Sequence, residues 1–498
     1  MTDSDRLTHA RHLWEANGLP AQSISLLHLS ANTDPAVNSS FRLGTAAQTV
    51  IGLSGLSAAH FHQLRTGVEQ DVSVDARHAV LEFKSEAFYT LNGALPSGTL
   101  FDPLAGLYKT KDDSYVRLHT NFPHHRDGIV ALLQCAPTRD AVAAALQNWR
   151  AVDLESAASA RKLVATALRS FDEWDAHPQG QALAHTPPVE LVKIGDAPRR
   201  VVRAARDYAR PLEGVRVLDL TRVLAGPVCG RTLAAHGADV LLVTSPKLPA
   251  LPFLDADTSR GKRATQLDLT SAADRDTLHT LVEGADVFLQ AYRPGGLSDK
   301  GFGPAHAARA RPGIVYASLT AYGWEGPWKD WRGFDSLVQT ASGFNIAEGE
   351  ACAAFAGNGS TPTPRVLPMQ ALDHAAGYLL AFGINAALCK TITEGGSWEV
   401  RVSLAAVGNW IRSLGRIDPA VAFGQGQPLP PPSAPPPDEL RPLSITCNRV
   451  IETANEATAS NIMTCISHAA KLSSTPAVET GSPAFLHTHN PEWLSRQC

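Results

Sequence analysis

The chain has no C-x-x-C pair. Its seven cysteines, Cys135, Cys229, Cys352, Cys389, Cys447, Cys465 and Cys498, are scattered along 498 residues. That argues against a disulfide framework or a structural zinc site and for a reducing compartment, read here as the cytoplasm. The sequence contains no G-x-G-x-x-G, P-loop, G-x-S-x-G or H-E-x-x-H. Nicotinamide dehydrogenases, P-loop kinases, serine hydrolases and zincins lose support together. There is no basic excess: the formal net charge is −4 and the pI about 6.5. Neither nucleic acid nor an anionic membrane is expected as a partner, so any anionic ligand needs a local site. The first residues, Met-Thr-Asp-Ser-Asp-Arg, do not read as a signal or transit peptide, and no uninterrupted apolar run reaches membrane-spanning length. His124 and His125 tempt a metal reading, but sequence neighbours tend to point apart and no carboxylate motif accompanies them, so no metal is expected. What remains is a globular composition, 44% hydrophobic and 18% charged, of a length that suggests two or more domains.

The stretch Leu367–Leu388 stands out because one ionisable group, Asp373, opens an apolar run long enough for four helical turns. As an N-cap, Asp373 would accept from the free N–H groups of the first turn, and the helix dipole would favour its ionised form. Leu379, Leu380, Phe382, Ile384 and Leu388 fall on more than one face, which predicts burial nearly all round. Gly377 and Gly383 forgo helix propensity and suggest close approach of another backbone or a ligand. A carboxylate at the edge of a dry core is a candidate nucleophile; a plain capping aspartate is the bland alternative.

Taken in order, Gly44–Leu64 is an apolar and small-residue run. A strand-like alternation follows at Val72–Val74, and Leu107–Leu118 reads as a hairpin around Asp112–Asp113. Helical patterns occupy about 127–185, and Pro187, Pro188 and the Arg-rich 199–210 read as a linker. From Gly214 the texture changes. Strand patterns near 215–220, 239–243, 286–290 and 314–319 alternate with helices, which predicts a Rossmann-like, doubly wound parallel sheet with ligands at the strands' C-terminal ends. A smaller α+β domain precedes it. Residues 424–442, rich in Pro and Gly, are expected to be extended, and the last fifty are weakly patterned. One internal echo is present: Gly55, Ala58-Ala59 and Val72-x-Val74 match Gly383, Ala386-Ala387 and Val400-x-Val402 at a constant offset, with Thr45 where the second block has Asp373.

Three stretches could hold an anion. Arg222-Val-Leu-Ala225-Gly226-Pro227 joins the first strand of the sheet to its helix, where backbone donors are free. Arg260-Gly-Lys262-Arg263 sets three cations in four residues. Tyr292-Arg293-Pro294-Gly295 ends the third predicted strand. Each is also readable as a plain connector, turn or solvated face.

The run Pro211–Pro227, with Gly237-Ala-Asp-Val, Arg260-Gly-Lys-Arg, Tyr292-Arg-Pro-Gly, Tyr316–Gly323, Arg332-Gly-Phe-Asp335 and the Asp373 helix, resembles family III CoA-transferases, the formyl-CoA and carnitine-CoA transferase group. The resemblance covers roughly 211–404, and residues 40–200 resemble the segment that follows the catalytic aspartate in that family. It implies that Asp373 is the nucleophile and that CoA contacts come from Arg222, Ala225, Gly226, Arg260, Lys262, Tyr292 and Arg293. The first copy, with Thr45, would be catalytically blank. The implied reaction is acyl-CoA:carboxylate CoA transfer through an aspartyl anhydride and an aspartyl-CoA thioester. A CoA thioester and a carboxylic acid are its substrates, no cofactor is bound permanently, and the assembly is a homodimer or an internal pseudo-dimer. The expected division is a polar segment 1–39, a degenerate small domain with flanking helices 40–200, a linker 201–213, the Rossmann-like domain 214–414 and a Pro-rich, weakly ordered tail 415–498. The family's acidic ending of the second strand is absent at Val243-Thr-Ser-Pro-Lys. Related racemases place a histidine where Phe334 stands, which disfavours racemization because that needs an acid and a base on opposite sides of the α-carbon. A racemase or isomerase and a non-catalytic CoA-binding scaffold are the competing readings.

Overall fold

A computed structural model describes residues 3–202, 208–357, 362–451, 459–478 and 481–496. Its centre is a seven-stranded sheet. In chain order the strands are β1 (Glu190–Gly195), β2 (Arg216–Leu220), β3 (Asp239–Thr244), β4 (Arg263–Gln266), β5 (Val287–Gln290), β6 (Val315–Thr320) and β7 (Ser397–Ser403). They lie in the order β4-β3-β2-β5-β6-β7-β1. All pairs are parallel except β7 with β1. Every residue of β5 and β6 is buried, as expected for a parallel sheet covered on both faces. Chain order reverses between β2 and β5, where Leu220 pairs with Gln290, so the ligand crevice belongs beyond those two C-terminal ends. The expected doubly wound α/β sheet is therefore present; β7 is the strand of the second echo block at Val400-x-Val402, and β4 is added to those legible in the sequence. β4 is four residues long and polar at both ends, which hides its periodicity.

Three helices position the site. Helix α1 (Leu43–Thr66) belongs to the N-terminal half, α2 (Ala225–Ala235) follows β2, and α3 (Ala371–Thr393) leads into β7. Helix α3 is long and apolar enough to cross a membrane, but 89% of its most apolar stretch is buried inside the fold. Its neighbours are α1, α2, β7 and β6, so its hydrophobicity serves the core rather than a bilayer.

The internal echo has a structural counterpart. Helices α1 and α3 pack side by side, and Asn385 Nδ2 donates to Ser57 Oγ at 3.2 Å across positions 328 residues apart, the same offset that relates the two blocks. Gly67 and Gly395 end both helix patterns in left-handed conformation, with φ of 78° and 77°. A β-carbon on Gly55 would meet Val72, and one on Gly383 would meet Val400, again equivalent positions. Asp75 then caps a helix by accepting from His78 N–H, and Ser403 does so from Ala406 N–H. Two copies of one helix–strand–helix unit face each other about the Ser57–Asn385 contact.

Two expectations are corrected. The stretch between Pro188 and the Arg-rich 199–210 is not linker but β1, whose residues pair antiparallel with β7, so the chain joins the main sheet before Gly214. Glu190 and Lys193 on this edge strand broke the apolar pattern. The region 415–498 is not a weakly ordered tail throughout. Strands Ser444–Ile451 and Ala459–Ile466 form a hairpin that also pairs with Tyr89–Leu91, burying Cys447, Met463 and Cys465. The Pro-rich segment is pinned by Arg77, which donates to Pro428 O at 2.9 Å and pairs with Glu439. Long-range contacts of this kind leave no local periodicity to read.

Candidate active site

A cavity of about 350 Å³ opens beyond β2 and β5. Asp373 lines it, together with Arg222, Ala225, Gly226, Tyr292 and Arg293. Six of the eight residues singled out from the sequence thus share one cavity, at the place the strand order selects. Arg260 and Lys262 do not. Both are about 1% exposed. Arg260 pairs with Asp257 at 3.1 Å, and Lys262 pairs with Asp219 at 2.8 Å while also donating to Pro227 O. Their charges are consumed inside the fold, so the expectation that they meet CoA phosphates is withdrawn.

The loop between β2 and α2 is strained where it meets the cavity. Val223 has φ of 75°, a conformation a β-branched residue adopts at a cost of about 1–3 kcal/mol. Close packing holds it: a β-carbon on Gly226 would lie 2.6 Å from Thr221, and one on Gly377 would lie 2.6 Å from Ala225 O. Gly377 therefore lets the first turn of α2 lie directly against α3, as the sequence suggested, and sets Ala225–Gly226 beside the nucleophile candidate.

Asp373 is not the helix cap. It is the third residue of α3 and 9% exposed, and the position before the helix, Gln370, makes no side-chain cap. Asp335 does the capping. Its Oδ2 accepts from Leu372 N–H at 2.7 Å and from Asp373 N–H at 3.0 Å, while Gln339 Nε2 holds its other oxygen. The first copy repeats this: Asp34 accepts from Gly44 N–H and Thr45 N–H, the equivalent pair, and Thr45 Oγ1 donates to Asp34. A hydroxyl thus stands against the capping carboxylate in one copy, and a second carboxylate stands there in the other.

That difference sets the electrostatics. Burial, then the neighbouring Asp335 and Glu86, raise Asp373 well above the ordinary carboxylate range. Asp335 is itself pushed up to about 6 by burial, against the opposing pull of its backbone donors. The sequence argument that a helix N-terminus keeps Asp373 ionised is overturned, because the dipole's N–H groups are spent on Asp335.

The rest of the cavity is cationic and aromatic. Arg222, Arg293, Lys329 and Arg332 all line it, and none makes an ion pair to a carboxylate among the described residues. Four unneutralised cations around one carboxylate suit a ligand with several negative charges. The guanidinium of Arg222 lies 5.1 Å over the Phe122 ring. Phe122, His124 and His125 come from the N-terminal half and close one wall. Burial, His124, Arg332 and Arg293 push His125 down to about 3, so it stays neutral. Phe334 packs against His119 with ring centroids 4.0 Å apart. Sequence reading missed Lys329, Arg332 and the capping role of Asp335, although Arg332-Gly-Phe-Asp335 was visible as a motif.

Residues 212–424 match the profile of CoA-transferase family III. Among curated proteins, the chain is 33% identical over 243 residues to a probable fatty acyl-CoA transferase, Rv3272, of Mycobacterium tuberculosis, covering 45% of this chain and 59% of that one. It is 29% identical over 401 residues to an acyl-CoA transferase of Gibberella moniliformis, covering 72% and 68%. It is 32% identical over 219 residues to a succinate–glutarate CoA-transferase of Agrobacterium fabrum, covering 40% and 52%. Among solved structures, Rv3272 in an orthorhombic form matches with a TM-score of 0.35 at 32% identity, over 42% of this chain and 59% of that one. A CAIB/BAIF family protein from Brucella suis matches with a TM-score of 0.37 at 26% identity, over 41% and 56%. The chain thus spans only about half to two thirds of the length of these relatives. The match to CoA-transferase family III falls on 212–424, the stretch that carries six of the seven strands of the sheet and Asp373.

Proposed function

We propose that the protein is an acyl-CoA:carboxylate CoA-transferase whose nucleophile is Asp373. The carrying observation is that, among the described residues, Asp373 is the one carboxylate lining a cavity walled by four cations without acid partners. The relatives' names, which include acyl-CoA and succinate–glutarate CoA transfer, support the same reading.

In the proposed cycle an Asp373 carboxylate oxygen attacks the thioester carbonyl carbon. The C–S bond breaks, CoA leaves as thiolate, and the acyl group is held as an aspartyl anhydride. The thiolate then attacks the aspartyl carbonyl, the anhydride C–O bond breaks, and the first carboxylate departs, leaving an aspartyl-CoA thioester. A second carboxylate reverses the two steps, so CoA moves between acids with no net proton change and no bound cofactor. Arg222, Arg293, Lys329 and Arg332 are assigned to the CoA phosphates and the exchanging carboxylates, Tyr292 to contact with bound CoA, and the N–H groups near Ala225–Gly226 to the tetrahedral oxyanion. The apolar body of α3 keeps water from the anhydride. None of the six cysteines among the described residues is in a disulfide, which fits a reducing, cytoplasmic setting.

The test is to incubate the protein with an acyl-CoA panel and hydroxylamine and to weigh the peptide containing Asp373. A hydroxamate on Asp373, lost in Asp373→Asn, is the expected result. Turnover of acyl-CoA in Asp373→Asn at the unsubstituted rate would overturn the assignment.

A further inference from the structure

Two thiols that the transfer chemistry does not use meet on the hairpin of the C-terminal region. In the strands Ser444–Ile451 and Ala459–Ile466, Cys447 stands opposite Met463, and Cys465 stands opposite Ile445. Side chains two residues apart on a strand share a face, so the two cysteines are diagonal neighbours on one side of the hairpin. Their sulfurs lie 3.8 Å apart, and neither is in a disulfide. Tyr89 and Met463 pack around them.

Two observations set this pair apart from cysteines that merely fill a core. Arg260 donates from Nη1 to Cys465 Sγ at 3.0 Å, so a guanidinium stands against one of the two sulfurs. Thiolates form more readily beside such a cation. The strand that carries Cys447 is also the outer one of its three-stranded sheet. A disulfide needs the sulfurs to close from 3.8 Å to about 2.05 Å, and a strand laddered on one side supplies that movement without breaking a second ladder. Cys447 is 4% exposed and Cys465 0%, so Cys447 is the sulfur that a small oxidant meets first.

We propose that Cys447 and Cys465 are a reversible modification site, a dithiol that hydrogen peroxide converts to a disulfide. The Cys447 thiolate attacks one peroxide oxygen and the O–O bond breaks. Cys447 is left as a sulfenic acid, and the departing hydroxide takes a proton to become water. The Cys465 thiolate, with Arg260 against it, then attacks the Cys447 sulfur. The S–S bond forms, the S–O bond breaks, and a second hydroxide leaves and is protonated. The two thiol protons go to the two hydroxides, and the two electrons lost by sulfur reduce the peroxide to two waters. A cross-link between diagonal positions strains both strands, and strained disulfides are the easily reduced ones, so dithiothreitol reopens it. Neither cysteine lines the Asp373 cavity, so the modification stands or falls independently of the transfer reaction.

The experiment treats the folded, full-length protein with hydrogen peroxide, raised until the half-buried Cys135 and Cys352 are modified. The protein is then denatured in iodoacetamide, digested without reductant and mapped by mass. The expected result is a peptide pair joined through Cys447 and Cys465, with both lost from the alkylated pool and both returned to it by dithiothreitol. The joined pair should be absent from Cys447→Ser and from Cys465→Ser. Cys447 and Cys465 alkylated as fully as before treatment, while Cys135 and Cys352 are modified, overturn the proposal. So does a bond from either cysteine to another one, or Cys447 carried on to sulfinic acid beside an alkylated Cys465. Should the serine variants not fold, the map of the unsubstituted protein decides alone.

Discussion

Asp335→Asn separates the two tasks assigned to Asp335, capping α3 and repelling the charge on Asp373. The asparagine oxygen can still accept from Leu372 and Asp373 N–H, which the aspartate does at 2.7 and 3.0 Å. The new amide group would then face Gln339 Nε2, itself a donor. Turning Gln339 over would sacrifice its Oε1 contacts, which accept from Leu367 N–H at 3.1 Å and Asn345 Nδ2 at 3.4 Å. One buried donor is left without an acceptor, at a cost of about 1–3 kcal/mol. The substitution also removes the negative charge that, after burial, does most to raise Asp373. A like charge of this kind is worth roughly 1–2 pH units, about 1.4 kcal/mol each. The pH profile of adduct formation should therefore move its acid limb to lower pH by about that amount, while denaturant unfolding shows the modest destabilisation. The variant gains rate at low pH even as it loses stability. An acid limb that stays in place, or moves to higher pH, refutes the claim that the Asp335 charge holds Asp373 above the ordinary carboxylate range.

Arg222→Ala should raise the KM for acyl-CoA and leave stability within about 0.5 kcal/mol. Lys262→Ala should do the reverse, because it strands Asp219, which is fully buried, and costs about 3–5 kcal/mol in denaturant melts without a specific effect on KM. Gly377→Ala places a methyl 2.6 Å from Ala225 O and should lower kcat by shifting the first turn of α2, read in steady-state assays beside an unchanged KM for acyl-CoA. Burial pushes Asp34 up to about 6 against an unfolded value near 3.8. Its contribution to stability is therefore fully present below pH 3.8 and lost as pH rises through about 6. Asp34→Asn, which keeps one acceptor for Gly44 and Thr45 N–H, should stabilise the protein above pH 6 by on the order of 1–3 kcal/mol and change little below pH 4, measured by urea unfolding across that range.

The parallel sheet was legible because β2, β3, β5 and β6 are local apolar runs broken by turns. The site was legible where function and backbone geometry coincide: Asp373 opening α3, Arg222 and Gly226 after β2, and Arg293 after β5. Arg260 and Lys262 misled because charge density in a sequence does not say whether a cation faces solvent or a buried partner such as Asp257 or Asp219. Asp335 was passed over as a cap because its acceptors serve a helix more than thirty residues later, and no local pattern carries that information. Glu86 was invisible for the same reason, its partner His374 lying 288 residues away. The hairpin at 444–466 was missed because its pairing partner, Tyr89–Leu91, sits near the other end of the chain.

The contact between Ser57 and Asn385 has a genetic corollary. Because the block that carries Thr45 packs against the block that carries Asp373, it is not free to decay as a redundant duplicate would. Inactivating alleles should accumulate along α1 as well as near Asp373, and a survey of damaging variants would find the half with Thr45 almost as intolerant as the half with Asp373.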